Sequence, residues 1–166
     1  MIGAEGLVGI GQFMGNTTCA HQAVVQRSGR AWRLPAHALQ SAFSDHAALR
    51  PLMLRYTQAL FAQIAQTAVC NRHHPVAQQL CRWLLVSLDR SASADLAVTQ
   101  EQIAHLLGVR RESVSEEIGR LRERHAVHTG RGHITVLDRQ LLERGACECY
   151  AVVRLESERL RPRQAA

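Results

Sequence analysis

Residues 99–124 read TQEQIAHLLGVRRESVSEEIGRLRER, and a chain with this spacing has few ways to fold. Thr99 stands three residues before Gln102 at the head of an apolar pattern, the Thr-x-x-Gln start of a capped helix. Ile103, Leu106 and Leu107 give that short helix one apolar side. Gly108 follows where the backbone must turn left-handed to end it. Val114, Ile118 and Leu121 then recur at i, i+4 and i+7, so a second helix buries one face and leaves the other free. Two helices joined by a tight turn, the second with an uncommitted polar face, make a helix-turn-helix. Its second helix has the dimensions and position to enter the major groove of DNA.

The free face carries Arg111, Glu112, Ser115, Glu116 and Gly119. Arg donates two hydrogen bonds to the O6 and N7 of guanine, and Glu accepts from the N4 amino group of cytosine. Arg111, Glu112, Ser115 and Glu116 are therefore the candidate base-reading residues. Arg110 and Arg111 begin the helix, where the dipole disfavours positive charge by about 0.3–1 kcal/mol. Arg110 also stands where a capping Ser, Thr or Asp is worth about 1 kcal/mol. Two arginines kept at such a place point to a phosphate or base partner; the plainer alternative is a solvated charged face. After Arg124, Ala126–His128 and His133–Leu137 flank Thr129-Gly130-Arg131-Gly132, which predicts a β-hairpin with Arg131 at its tip. Thr99, Gln100, Arg110, Ser113 and Arg131 are the candidate phosphate contacts. Asp138 is placed to cap a last helix running to about Arg144.

Upstream, Pro75 suits the first turn of a helix whose apolar face is Val76, Leu80, Trp83, Leu84 and Leu88. Ser91-Ala92-Ser93-Ala94-Asp95 reads as a polar loop. Residues 45–71 read as one long helix with Asp45 as N-cap. Leu49, Met53, Tyr56, Leu60, Ile64 (or Gln63), Thr67 and Cys70 form a narrow stripe at spacings of three and four, the pattern of a coiled-coil seam. The alternative is an amphipathic helix packed on its own domain. Pro51 is tolerable only near the start of such a helix. Residues 1–34 are Gly-rich, and Ala23–Gln26 and Arg30–Leu34 around Ser28-Gly29 predict a hairpin, with a short helical stretch from Pro35 to about Phe43. Two or three strands do not make a self-sufficient sheet.

Composition narrows the partner. The formal charge is +6 and all twenty basic residues are Arg. An acidic partner suits that charge, and the planar guanidinium fork suits phosphate and guanine; codon usage in a GC-rich genome is the plainer account of the missing Lys. From Thr99 onward 12 Arg stand against 10 acids, so a DNA surface there must come from the placement of arginines. No apolar run reaches the ~18 residues of a membrane span, and no signal-peptide succession opens the chain. Gly3, Gly6, Gly9 and Gly11 match neither GxGxxG nor a P-loop, and no nucleophile elbow organises the Ser, His and Asp residues, so an enzyme is not expected. The five cysteines, 19, 70, 81, 147 and 149, are odd in number and irregularly spaced, which fits a reducing cytoplasm better than a disulfide framework. Cys70 with His73 or His74 has helical i, i+3 or i, i+4 spacing, but Cys147-x-Cys149 departs from the C-x₂₋₄-C of zinc sites. These read as ordinary hinge residues, with no metal expected; a metal- or redox-responsive regulator is the alternative, and a protein-interaction module without DNA a further one.

The stretches CNRHH at 70–74, QLCRWLLVSLDR at 79–90, TQEQIAHLLGVRRESVSEEIGRLRE at 99–123 and GRGHITVLDRQLLE at 130–143 together resemble the DNA-binding half of the Crp/Fnr superfamily of bacterial transcription regulators. The resemblance implies a mostly α chain with small β elements: the remnant of a β-roll, a long dimerisation helix and a winged helix-turn-helix. It divides the sequence into a partial cyclic-nucleotide-binding-like sensor domain (1–44), a dimerisation helix (45–72) through Leu49, Met53, Tyr56, Leu60, Ile64 and Thr67, a winged helix-turn-helix (73–146) and a C-terminal tail (147–166). The implied partners are double-stranded DNA with a pseudo-palindromic operator, a second copy of the chain, and RNA polymerase; no membrane is expected. Glu116 stands where many members have an Arg that contacts guanine. Gly6-Leu7-Val8-Gly9 and His21-Gln22-Ala23 stand where cyclic-nucleotide binders hold the phosphate with a Gly-Glu pair and an Arg. Without that Arg the cyclic phosphate lacks its charge partner, so no cofactor is expected and the effector is left open.

Overall fold

The computed structural model describes residues 1–16, 18–19 and 22–160. Its core is organised around α3 (Val76–Asp89), which Pro75 opens from the N-cap position. Leu80, Leu84 and Leu85 are wholly buried there and share one cluster with Ile103, Val114, Ile118, Ile134 and Leu142. Around α3 lie β1 (Asp95–Leu96), α4 (Gln100–Leu107), α5 (Arg111–Glu123), β2 (Val127–Gly130), β3 (His133–Val136) and α6 (Arg139–Gly145). The strands form an antiparallel sheet in the order β1-β3-β2. Asp138 caps α6 as expected, accepting from the Leu141 N–H at 3.0 Å.

Three local expectations are corrected here. Asp95 belongs to a strand and not to the polar loop, because it pairs with Thr135, whose hydroxyl donates to its carboxylate at 2.8 Å. In α4 the buried residues are Ile103, Ala104 and Leu107, and Leu106 faces out. The segment after α6 is not a loose tail through its length: α7 (Cys149–Glu158) buries Cys149, Tyr150 and Val153 and packs on α3 and on the long helix upstream. Tyr150 also donates to Asp89 at 3.0 Å, and Arg139 donates to the same carboxylate at 2.7 Å, so one acid at the end of α3 ties α6 and α7 to it. Burial, and then the Asp89 charge, push the Tyr150 phenol up to about 12.

In the N-terminal part, α1 (Ala36–Asp45) and α2 (Leu49–His73) are separate helices. Asp45 closes α1 instead of capping α2, which starts after Ala48 without a side-chain cap. Pro51 lies in its first turn, where no intrahelical N–H bond is lost. Residues 1–13 run along α2: Tyr56 donates to the Leu7 carbonyl at 2.9 Å, and Gln63 donates to the Met1 carbonyl at 3.0 Å. Phe13 stacks on Phe43 of α1 at 5.1 Å. The predicted hairpin at 23–34 and the β-roll remnant do not form: no strand occurs among the described residues before Asp95. Val24, Val25, Trp32 and Leu34 all face solvent. Two isolated strands have no third to cover their apolar face, which is why local β propensity fails here. No helix among the described residues is long and apolar enough to cross a membrane.

The predicted seam on α2 also turns inward. Met53 is buried, Leu49, Tyr56, Leu60 and Thr67 are half-buried against the chain itself, and only Ile64 is exposed. Docking of residues 1–13 and of α7 takes up that face. A different stripe remains outside, formed by Leu54, Phe61, Ile64, Ala65 and Ala68.

Candidate nucleic-acid interface

Helix α4 is held by both halves of its capping box. The Gln102 N–H donates to Thr99 Oγ1 at 3.1 Å, and the Thr99 N–H donates to Gln102 Oε1 at 2.8 Å. Gly108 ends it with φ +69°, a conformation costly for any residue with a Cβ. Helix α5 then lies across α4 with Val114, Ile118 and Leu121 buried. Ser115 on α5 donates to Gln100 Oε1 on α4 at 2.6 Å. This bond fixes the crossing of the two helices and engages two side chains assigned from sequence to base and phosphate contact.

The outward face of α5 is more acidic at its centre than at its rim. At 3.6 residues per turn, Glu112 and Glu116 stand opposite the buried stripe, with Gly119 beside them. Arg111 is the first residue of the helix and projects from the flank of that face, exposed. Glu116 is bound by Arg120 at 2.6 Å, and the same guanidinium holds Glu117 at 2.8 Å. Arg110, Arg111, Arg122, Arg124 and Arg131 are exposed and form no ion pair among the described residues. Arg110 occupies the N-cap position without a side-chain cap bond, as expected. The candidate interface thus sets arginines outside any ion pair among the described residues beside carboxylates, one of which, Glu116, shares Arg120 with Glu117. Ser113 is half-buried at its edge.

The hairpin beyond α5 forms where expected, but Thr129 and Gly130 belong to β2 and not to the turn. Gly130 pairs with His133, so Arg131 and Gly132 make a two-residue loop, with Gly132 at φ +78°. Arg131 stands exposed at the tip. Between the hairpin and the end of α5 runs an open groove of about 420 Å³, lined by Gly119, Arg122, Glu123 and His128 among others. Of the residues weighed for phosphate binding in the N-terminal segment, Gln22 and Ala23 are exposed, and His21 lies outside the described residues.

The cysteine spacing reads as that of ordinary hinge residues, and the fold brings the ligand atoms of Cys70, His74, Cys147 and Cys149 within 4.8 Å of one another. Burial, and then hydrogen bonding with Cys70 and Cys149, push the Cys147 thiol up to about 12. Cys81 sits apart in the main core, its thiol pushed up to about 11 chiefly by burial.

Residues 78–144 match the family of Crp-like helix-turn-helix domains. Among solved structures, a CRP-family transcriptional regulator from Thermus thermophilus is 27% identical, with a TM-score of 0.53 over 61% of this chain and 55% of its own. A protein from Eubacterium rectale described as a transcriptional regulator of the Crp/Fnr family shares the fold at 23% identity and a TM-score of 0.50, over 66% of this chain and 51% of its own. The chain therefore spans about half the length of these structures. No curated protein matches it.

Proposed function

We propose that the chain, whose residues 78–144 match the family of Crp-like helix-turn-helix domains, is a transcription regulator of the Crp/Fnr superfamily that binds a pseudo-palindromic DNA site as a homodimer. The observation that carries the reading is α5 itself. It is fixed on α4 by buried Val114, Ile118 and Leu121 and by the Ser115–Gln100 bond, and it presents Arg110, Arg111, Arg122 and Arg124 with no acid to hold them among the described residues. In this reading Arg111 and Glu112 meet base edges in the major groove, while Arg110 and Arg131 meet phosphates. Glu116, held by Arg120, gives this protein a half-site of its own.

A two-fold dimer would set two copies of α5 about 34 Å apart, one turn of DNA. The outward stripe Leu54, Phe61, Ile64, Ala65 and Ala68 supports dimerisation through α2, since its spacing suits helix-on-helix packing and alanines allow close approach. Selection from a randomised duplex pool tests the reading. An inverted repeat should emerge, bound at least about 1,000-fold more tightly than random duplex at matched salt. Equal affinity for every sequence would refute it.

A further inference from the structure

We propose that Cys70, His74, Cys147 and Cys149 form a binding site for one zinc-type divalent cation, which clamps the end of α2 to the start of α7. Cys70 lies in the last turn of α2 and His74 just beyond it, while Cys147 precedes α7 and Cys149 begins it. The two pairs are 77 residues apart between Cys70 and Cys147 and meet only because α7 folds back onto α2.

The distances suit a single tetrahedral ion. Ligands at about 2.3 Å (sulfur) and 2.0–2.1 Å (nitrogen) stand about 3.8 Å apart along an S–S edge and about 3.6 Å along an S–N edge. Here Cys70 Sγ and Cys147 Sγ are 3.6 Å apart, and Cys149 Sγ and His74 Nδ1 are 3.5 Å apart. All three thiols are buried and the imidazole is mostly so. A span this short accommodates one ion and not a cluster of several irons and sulfides.

The surroundings orient the ligands. His74 Nε2 lies 3.2 Å from Glu148 Oε1, so the ring's N–H is directed to the carboxylate and Nδ1 keeps its lone pair for the cation. This is the carboxylate–histidine–metal arrangement of zinc proteins. Gln66 Nε2 donates to Cys149 Sγ at 3.2 Å, a bond that favours the thiolate. Three cysteines serving only as small apolar side chains need no histidine, carboxylate or amide aimed at them, and Cys81 in the main core illustrates that plainer use. Binding forms three S–metal bonds and one N–metal bond, and each thiol releases its proton to solvent.

The test uses the full chain, reduced, stripped with chelator, and titrated with Zn²⁺ against a chromophoric competitor; Co²⁺ serves as the spectroscopic probe. One zinc per chain should bind with a Kd of about 10 nM or tighter at pH 7. Cobalt should give the intense visible absorption of a tetrahedral site and a thiolate-to-metal charge-transfer band. Cys149→Ser and His74→Ala should abolish stoichiometric binding. Glu148→Ala, at an exposed carboxylate, should weaken it about 10-fold, and Cys81→Ala should leave it unchanged. Absence of stoichiometric binding by the unmodified chain would overturn the proposal, as would binding that survives both ligand substitutions. So would a Cys70–Cys147 disulfide in protein purified without air.

Discussion

Replacing Ile64 by Glu tests whether the outward stripe of α2 joins two copies of the chain. Leu54, Phe61 and Ile64 are 52%, 51% and 55% exposed. Full burial of a side chain of this size is worth about 1.5–3 kcal/mol, so covering the exposed half of one yields about 0.8–1.5 kcal/mol. A two-fold interface contains every residue twice, and Ile64 therefore contributes about 1.5–3 kcal/mol per dimer. Its loss alone weakens dimerisation by about 10- to 150-fold. Glu adds two carboxylates that must be desolvated or splayed apart, so this range is a lower bound. Sedimentation equilibrium across a concentration series reads the effect. Leu60→Glu is the contrasting substitution, because Leu60 is half-buried and lines a small cavity within the chain together with Met1 and Ile2; it should lower the thermal midpoint before it changes the association constant. A monomeric unmodified protein at tens of micromolar, or an Ile64→Glu variant that dimerises normally, refutes this assignment of the face.

Two further predictions concern the domain that carries α5. Thr99→Ala removes the acceptor of the Gln102 N–H and should cost about 1 kcal/mol in urea unfolding; an unchanged midpoint would show that the capping box does not anchor α4. Tyr150, raised to about 12 by burial and Asp89, holds its proton in the folded state while the unfolded phenol loses it near 10. Its contribution to stability is therefore complete below about pH 10 and lost as pH rises toward 12. The unmodified chain should lose stability across that window more steeply than Tyr150→Phe, and parallel alkaline unfolding curves would contradict the role given to this network.

The parts legible in the sequence are those whose signals are local. Thr99, Gln102 and Gly108 mark the ends of α4 by their own chemistry, and Val114, Ile118 and Leu121 give α5 its period within thirteen residues. Gly132 and the alternation in 133–136 likewise announce the hairpin. What was hidden depends on distant partners. β1 is two residues long and exists because β3 lies beside it. The strands expected at 23–34 lack such a neighbour, and their apolar residues stay in solvent. On α2 the sequence offers two apolar stripes, and only the packing of residues 1–13 and α7 decides which is internal. Tyr150 and Val153 carried a readable helical spacing that marks α7. Cys147 and Cys149 did not announce their site, since their co-ligands lie more than seventy residues away.

The central claim is that α5 reads base edges while the hairpin holds the backbone, and one titration addresses it directly. The unmodified chain, Arg111→Ala and Arg131→Ala are measured against the selected site and a library randomised in one half-site, each at two salt concentrations. Arg111→Ala should lose about 1–3 kcal/mol on the selected site and relax preference at one base position. Arg131→Ala should weaken all sequences about equally and reduce the salt slope by about one unit. An equal loss across all sequences for Arg111→Ala would contradict the account.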